Sequence, residues 1–417
     1  MSIIILKSLR MKKRTSTFLL IFISSFLLAQ RYPHSYIKYP ILNIEENKID
    51  FHKNNSWQTF FSKAKIQWLE GTQIINIVHF GGSHIQADVW SNRMRQHFQN
   101  LSPNTNSGRG FYFPFRIIGS NGSPYLKTNY SGSWKGFRNS VNNHSSPFGL
   151  LGARALLLDS ISKIDMWINR QHCQDCYFDE IEFLYRDSMK NHCIEILGDT
   201  LMWIKENNYN SKTAFKLSKL TDSISFSIYN TDTLGKFELF GLRLSNNQPG
   251  FCYHSIGVNG ASVPSYLRCE NLTSDLSMVN PDLIIFSIGI NDAYEPSFSK
   301  EIFKSNYDSI IQIVKKINPN VAILLTTNND SYYRKIRPNN RAFLVREVMY
   351  ELAEKYNAGV WDFFEIMGGL DSISEWEKYG LAKKDKVHLT PNGYKLIGDL
   401  LFEAILKSYK EYLGLNG

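Results

Sequence analysis

The sequence has 417 residues, and 43% of them are hydrophobic, so the chain is long enough to bury one large core and a smaller one. Its formal charge is +9, but five basic residues fall within the first 29 positions, and without them 42 basic and 38 acidic residues leave only +4. This composition excludes a disordered chain, and so small a positive excess predicts no nucleic-acid partner.

Residues 1–29 have the pattern of a secretion signal. A basic stretch from Lys7 to Arg14 precedes the apolar run Phe18 to Ala29, and the small side chain of Ala29 suits a cleavage site. The apolar run is shorter than the roughly 20 residues that span a bilayer. We therefore expect export to the periplasm or cell envelope, with no transmembrane span in the mature chain. A retained membrane anchor is the alternative.

The first part of the mature chain, residues 30–107, is predicted to contain a strand followed by a helix. Gln73 to Phe80 is rich in Ile and Val, which is typical of a buried strand, and apolar residues then recur at helical spacing from Ser83 to Phe98. Gly81 and Gly82 allow a sharp turn between the two elements.

Residues 108–248 have a different sequence pattern, with short segments in which hydrophobic residues recur at every second position. Apolar and polar residues alternate along Glu180 to Tyr185 and along Ser223 to Ile228, which predicts half-buried antiparallel strands. A change of parity across Gly241 predicts a β-bulge. We interpret this region as a β-rich insertion domain, in the form of a small sandwich.

The alternation of strands and helices returns in residues 249–417. Strands are predicted at Asp282 to Ser287, Val321 to Thr326 and Gly359 to Phe363, and helices at Phe303 to Ile317, Phe343 to Tyr356 and Pro391 to Tyr412. Continuous apolar strands alternating with helices predict an α/β fold, in which helices cover both faces of a parallel sheet.

Two motifs offer a nucleophile and a base. Ser83 directly follows an apolar strand and begins a helix, where its hydroxyl is presented at the carboxyl end of the sheet. Asp385 precedes His388 by three positions and can orient its imidazole as a general base. The alternatives are structural: Ser83 as a helix N-cap, and Asp385 as a cap beside a surface histidine.

Two further motifs offer oxyanion donors. Asn291 follows the strand that ends at Ser287, so its amide can reach a developing anion, and the loop containing Gly260 can supply a backbone N–H. The alternatives are an ordinary turn at Asn291 and a flexible loop at Gly260.

Taken together, these four motifs resemble the SGNH, or GDSL-type, hydrolase family. The resemblance implies a flavodoxin-like three-layer α/β/α domain, a catalytic triad of Ser83, Asp385 and His388, and oxyanion donors from Ser83, Gly260 and Asn291. It implies no metal and no organic cofactor. One departure stands out, since the family usually has aspartate at the position of Gly82; Asp88 or Asp292 is a candidate to compensate.

Three segments are similar to those of exported peptidoglycan O-acetylesterases: Phe80–Asp88, Tyr253–Ala261 and Trp361–Phe364. That similarity implies a secreted serine esterase acting on O-acetylated peptidoglycan, with the insertion as a carbohydrate-module-like domain. Other acetylated polysaccharides, a glycan-binding protein that has lost activity, and a lipase or thioesterase are the alternatives. Oligomeric state is left open.

Aromatic and sulfur side chains of the insertion provide two smaller predictions. Its tryptophans can stack on sugar rings, although a core role is the alternative; they include Trp134, Trp167 and Trp203. Cys173 and Cys176 form a C-x-x-C pair without a second pair at zinc spacing. We expect a structural disulfide or idle thiols there. With five cysteines in the sequence, at least one is unpaired.

Overall fold

A computed structural model describes residues 39–52, 55–102, 105–145, 147–169, 177–188, 191–198, 204–207, 212–230 and 236–415. The predicted signal segment therefore lies outside the described residues, as do Cys173, Cys176 and Trp203. From Ile41 onward the described residues belong to one compact unit. No helix in this part of the chain is long and apolar enough to cross a membrane.

The strands are β1 (Asp50–Phe51), β2 (Ile74–Gly81), β3 (Gly108–Tyr112), β4 (Leu126–Tyr130), β5 (Trp134–Arg138), β6 (Ala153–Leu157), β7 (Ile161–Ile168), β8 (Phe178–Asp187), β9 (His192–Leu197), β10 (Ile204–Asn207), β11 (Lys212–Thr221), β12 (Ser223–Asn230), β13 (Phe237–Ser245), β14 (Gly250–Gly257), β15 (Leu283–Ser287), β16 (Ala322–Thr326), β17 (Tyr332–Tyr333), β18 (Arg337–Pro338) and β19 (Gly359–Trp361).

The helices are α1 (Asn55–Glu70), α2 (Ser83–Gln86), α3 (Val89–Asn100), α4 (Val263–Leu267), α5 (Leu272–Ser277), α6 (Ile290–Tyr294), α7 (Lys300–Ile317), α8 (Arg341–Tyr356), α9 (Phe363–Ile366), α10 (Ser372–Lys378) and α11 (Pro391–Tyr412). Two 3₁₀ turns cover Ile44–Glu46 and Phe115–Ile118.

The central sheet has the order β1-β19-β16-β15-β2-β14. All of its pairs are parallel except β1 with β19, which is antiparallel. The five parallel strands can be renumbered 1 to 5 in chain order, as β2, β14, β15, β16 and β19. Across the sheet from β14 to β19 their order is then 2-1-3-4-5, which is the flavodoxin-like order. The topological switch lies between β2 and β15, and ligands of such sheets collect at this point.

Helices cover the two faces of this sheet. On one face α1, α3 and α11 pack together, with His79 of β2 against Trp90 of α3. On the other, α4, α5, α7 and α8 pack around Phe80 and Phe286, whose rings stack 5.4 Å apart. Because side chains alternate across a strand, His79 and Phe80 point to opposite faces. The predicted α/β class with a parallel sheet is confirmed.

The region between β2 and β14 forms two antiparallel sheets. One has the order β10-β11-β8-β13-β6-β5, with β3 also paired to β13, and the other has the order β4-β7-β12-β9. Phe183 and Phe226, one from each sheet, meet edge to face with ring centroids 4.9 Å apart. The β-rich insertion is thus present, and the register shift beside Gly241 is the predicted bulge. The exact domain boundaries stay a prediction.

Two local features differ from the expectation. The helix expected from Ser83 to Phe98 is divided into α2 and α3, because Asp88 has a left-handed backbone with φ of 57°. Aspartate tolerates this conformation better than most residues. Strand β14 was not predicted, and it lies in the parallel sheet beside β2.

Candidate active site

Ser83 and His388 lie within hydrogen-bonding distance of each other. The Oγ of Ser83 is 2.8 Å from the Nε2 of His388, although 305 positions separate them in the sequence. Ser83 begins α2 at the carboxyl end of β2, and His388 precedes the N-terminus of α11. Strand β2 lies at the topological switch, so Ser83 occupies the end of the sheet where ligands of this fold bind.

Asp385 completes a chain of hydrogen bonds behind the imidazole. Its Oδ2 lies 2.9 Å from the Nδ1 of His388, and its Oδ1 accepts the backbone N–H groups of Val387 (3.0 Å) and His388 (2.9 Å). Burial acts to raise the pKa of this carboxyl, but the hydrogen bonds from His388 and Val387 outweigh it, and the net pKa is lowered. The carboxylate therefore stays ionised and fixes the ring through Nδ1.

A second histidine stacks against the ring of His388. The imidazoles of His84 and His388 stack with centroids 5.3 Å apart, and the His84 Nδ1 lies 3.0 Å from the hydroxyl of Tyr394. Burial, followed by the nearby His388, lowers the pKa of His84 to about 3, so this ring is neutral. His84 and Tyr394 were missed as site residues. Only the position of His84 next to Ser83 was a signal for it.

The two predicted oxyanion segments lie side by side. The Nδ2 of Asn291 donates to the carbonyl oxygen of Ala261 at 2.8 Å, which leaves its second N–H for another acceptor. Gly260 precedes Ala261 in a tight turn, where the Ala261 N–H donates to the Val258 carbonyl at 2.9 Å. Both segments thus meet beside Ser83, as the carboxyl ends of adjacent parallel strands do.

Gln86 is a further residue that sequence reasoning did not single out. Its Oε1 accepts the N–H of Asn259 at 2.6 Å, and its Nε2 donates to the carbonyl of Asn121 at 2.8 Å. Gln86 is buried, and it joins the turn before Ala261 to the antiparallel region. The only sequence signal was its position three residues after Ser83.

The two acids considered as substitutes for the missing aspartate have different partners. Asp88 forms buried ion pairs with Arg109 and Arg95 and lies outside the pocket lining. Asp292 accepts the N–H of Val263 at 3.1 Å, so it holds the segment that follows Ala261. Burial raises the pKa of Asp292 to about 7, and the Val263 N–H acts in the opposite direction.

A small pocket opens onto these groups. Its volume is about 210 Å³, and its lining includes Gly82, Ser83, His84, Ala261, Asn291, Tyr294, Val387, His388 and the loop 287–290. Pockets that hold drug-sized ligands usually measure about 300–1,000 Å³, so this one suits a short group. Within the described ranges, no cluster of three or more His, Cys, Asp or Glu side chains is arranged to hold a metal ion.

Three cysteines fall within the described part of the chain, and all three are free thiols. Cys193 is exposed, whereas Cys252 and Cys269 are buried. Burial raises the pKa of Cys252 to about 11 and that of Cys269 to about 12. None of the three lines the pocket.

Comparison with solved structures supports the fold. The chain is similar to a peptidoglycan O-acetylesterase at 17% identity, with a TM-score of 0.73, over 87% of this chain and 99% of the other. It also matches an acetyl xylan esterase (21% identity, TM-score 0.30, 37% and 81% covered) and a GDSL-like lipase from Bacteroides thetaiotaomicron (18%, 0.30, 38% and 76%). No curated protein matches the sequence.

Residues 222–396 match the GDSL-like lipase/acylhydrolase family. This range contains the segments of Gly260, Asn291, Asp385 and His388, whereas Ser83 lies before it. The sequence match therefore shows that residues 222–396 resemble the SGNH, or GDSL-type, hydrolase family, and the fold shared with the solved O-acetylesterase extends over most of the chain.

Proposed function

We propose that this protein is an exported serine esterase that removes O-acetyl groups from cell-wall peptidoglycan through an acyl-enzyme. The observation that carries the proposal is the continuous chain of hydrogen bonds from Ser83 through His388 to Asp385, at the edge of a small pocket. In this chain Ser83 is the nucleophile, His388 the general acid and base, and Asp385 the group that orients the imidazole.

The reaction has two steps. The Oγ of Ser83 attacks the ester carbonyl while the Nε2 of His388 takes its proton, and the sugar alcohol leaves with that proton. A water molecule then attacks the acetyl-enzyme, His388 again moves the proton, and acetate is released. His388 needs its proton on Nδ1 to accept one at Nε2, and the ionised Asp385 favours that tautomer.

Charge that develops on the carbonyl oxygen is received by three donors: the N–H groups of Ser83 and Gly260 and the side-chain amide of Asn291. Such donors act most strongly when they are fixed before the reaction begins. The bond from Asn291 to Ala261 and the bond from Val263 to Asp292 hold this side of the pocket in place.

The acyl group is an acetyl in this proposal. A pocket of about 210 Å³ leaves little room beyond the reacting ester, which disfavours the long acyl chains of lipids. A solved structure that covers 87% of this chain is a peptidoglycan O-acetylesterase, and we transfer its substrate to this chain as part of the proposal.

The antiparallel region, within residues 108–248, is proposed to bind the glycan. On the outward face of the sheet that contains β7 and β12, Trp167 is 39% exposed and lies opposite Ser223. A groove of about 290 Å³ beside it is also lined by Asp165 and Lys219. An exposed ring next to small and polar side chains suits stacking on a sugar. Trp134, by contrast, packs against the core.

Export rests on the sequence of residues 1–29. Within the proposal these residues are a signal that directs the chain to the periplasm or cell envelope, where peptidoglycan is accessible. Peptidoglycan is the only partner proposed; a nucleic-acid partner, a metal and an organic cofactor have no part in the mechanism.

The decisive experiment measures acetate release from O-acetylated peptidoglycan and from acetylated xylan, with the purified protein and with Ser83→Ala. We expect faster release from peptidoglycan, and none with the variant. Faster release from xylan would identify a different acetylated polysaccharide as the substrate. Glycan binding without any Ser83-dependent release, also from p-nitrophenyl acetate, would identify a binding protein and refute the esterase.

A further inference from the structure

Ser140 contacts the turn that carries Gly260, although it comes from the antiparallel region. It lies in the loop between β5 and β6, and its hydroxyl donates to the carbonyl oxygen of Asn259 at 2.8 Å. Asn259 and Gly260 are the two central residues of the turn that the Ala261–Val258 hydrogen bond closes.

The backbone of Gly260 identifies the turn type. Its φ is +80°, the value that a type II turn requires at its third residue and that glycine adopts without strain. Type I and type II turns differ mainly in the direction of the central peptide, which here is the peptide between Asn259 and Gly260. Rotation of this one peptide would convert one type into the other.

The carbonyl and the N–H of a trans peptide point in opposite directions. A bond that holds the Asn259 carbonyl toward Ser140 therefore also directs the Gly260 N–H away from Ser140. Among the residues that the structure describes, none accepts a hydrogen bond from this N–H. The turn lies beside Gly82, where an added Cβ would be 3.4 Å from the Ala261 carbonyl oxygen.

We propose that Ser140 is a positioning residue for the oxyanion hole: its hydroxyl holds the Asn259–Gly260 peptide in the type II orientation, with the Gly260 N–H directed at the substrate oxygen. The inference rests on the proposed function, because it takes Gly260 as an oxyanion donor. It also makes the β-rich insertion part of the catalytic apparatus, in addition to any role in glycan binding.

Contacts on the other side of the turn do not replace this bond. Gln86 accepts the N–H of Asn259, and the Asn259 side chain donates to the Oδ1 of Asn121 at 2.6 Å. Both contacts precede the central peptide and leave its rotation free, since the Asn259 ψ and the Gly260 φ change together when the peptide rotates. Among the described residues, only Ser140 donates a hydrogen bond to the carbonyl of that peptide.

The kinetic test compares Ser140→Ala and Ser140→Thr with the unaltered protein on p-nitrophenyl acetate. We expect Ser140→Ala to lower kcat about 10-fold with KM nearly unchanged, which is less than the roughly 10²–10³-fold effect of deleting an oxyanion donor. Ser140→Thr keeps a hydroxyl and should restore most of the rate. Ser162→Ala is the matched control, because the Ser162 hydroxyl also bonds a backbone carbonyl within the insertion, that of Ser131.

A crystal structure of Ser140→Ala gives a readout that does not depend on activity. We expect the Gly260 φ to become negative as the peptide rotates. A positive φ together with an unchanged kcat would overturn the role of Ser140 while leaving the esterase intact. Equal losses in Ser140→Ala and Ser162→Ala, with φ still positive, would reduce Ser140 to a stabilising residue of the insertion. If the unaltered protein released no nitrophenol, the esterase and with it the oxyanion hole would be refuted, and φ would decide only whether Ser140 holds the Asn259–Gly260 peptide.

Discussion

A Cβ added to Gly82 would lie 3.0 Å from the Nδ2 of Asn291. Few side-chain contacts are so close, so the amide of Asn291 occupies space that any larger residue at position 82 would need. The aspartate that is usual in the GDSL-type family is thus replaced by a glycine that lets the amide approach the end of strand β2. Asp292, next to Asn291, holds the neighbouring segment through the N–H of Val263.

We expect Gly82→Ala to reduce kcat several-fold, because its methyl group would displace the Asn291 amide by a few tenths of an ångström. The φ of Gly82 is −99°, which lies outside the left-handed region. Gly122→Ala is a suitable control, since an added Cβ there meets nothing within 4 Å. Steady-state kinetics on p-nitrophenyl acetate provide the measurement. Equal kcat values for both variants would contradict the claim that Gly82 leaves the space that the Asn291 amide needs.

Asn291→Ala should lower kcat by roughly 10²–10³-fold, the usual effect of losing one oxyanion donor, with a smaller change in KM. The same change removes the bond to Ala261, so thermal unfolding should be measured alongside the kinetics. Asn142→Ala, which removes an exposed asparagine bonded to Arg268, is the control. A rise in KM at constant kcat would instead assign Asn291 to ground-state binding.

Asp385→Asn should lower kcat more than its small change in side-chain shape suggests. Two backbone N–H groups point at Oδ1, so the oxygen of the new amide must remain there and its NH₂ must face the Nδ1 of His388. His388 would then carry its proton on Nε2 and could not accept one from Ser83. We expect a loss of about 10⁴-fold in kcat, as in other triads.

Nitrogen-15 NMR of His388 checks the cause of that loss. The variant should show the Nε2–H tautomer, and the unaltered protein the Nδ1–H tautomer. An active variant, or an inactive one with the original tautomer, would contradict the explanation.

Asp292→Asn should change how stability depends on pH. The Asp292 pKa rises from 3.8 to about 7 on folding, chiefly through burial. Below pH 4 the carboxyl is protonated in both states. Between pH 4 and pH 7 the carboxyl ionises only in the unfolded state. The contribution of Asp292 to the free energy of unfolding therefore falls by as much as about 4 kcal/mol over this range, and above pH 7 that contribution is constant.

Asparagine keeps an acceptor for the Val263 N–H but does not titrate. The variant should therefore gain stability relative to the unaltered protein as the pH rises from 4 to 7. Denaturant unfolding at pH 4.5, 6 and 7.5 measures the difference. If the free energy of unfolding of the variant, relative to that of the unaltered protein, fell or stayed constant with rising pH, the raised pKa of Asp292 would be contradicted.

Trp167→Ala should weaken binding to insoluble peptidoglycan, since it removes the exposed ring from the outward face of β7. Co-sedimentation measures the bound fraction, and circular dichroism checks that the variant is folded. Ile161→Ala is the matched control, because Ile161 is 56% exposed on the same face of the same strand. Equal binding by both variants would remove Trp167 from the glycan site.

The sequence predicted those features that depend on local pattern or on chain order. Helix α11 begins and ends where its apolar spacing indicated, and the placement of Ser83, Asn291 and His388 after strands or before a helix brought them to one end of the sheet. Strand β14 was missed because polar residues such as His254 and Ser255 interrupt its apolar run. It is nevertheless almost wholly buried, because α2 and β3 cover it.

The supporting contacts were beyond sequence reasoning for a different reason. Tyr394 reaches His84 across 310 positions, and Ser140 reaches Asn259 across 119. Such pairs depend on how elements pack in three dimensions, and neither member has a pattern that identifies the other. The sequence shows that glycine replaces the usual aspartate at position 82. It does not show that the Asn291 amide occupies the space that a side chain at this position would need.

The order of strands in the central sheet also has a consequence for biosynthesis. Strand β2 emerges from the ribosome early, yet its neighbour β14 follows only after the whole antiparallel region, as the 173 positions between Gln86 and Asn259 illustrate. Contacts between such distant segments form slowly, because a long loop must close first. Until then β2 has apolar faces and unpaired backbone edges open to solvent, so we expect incomplete chains to aggregate more readily than the complete protein.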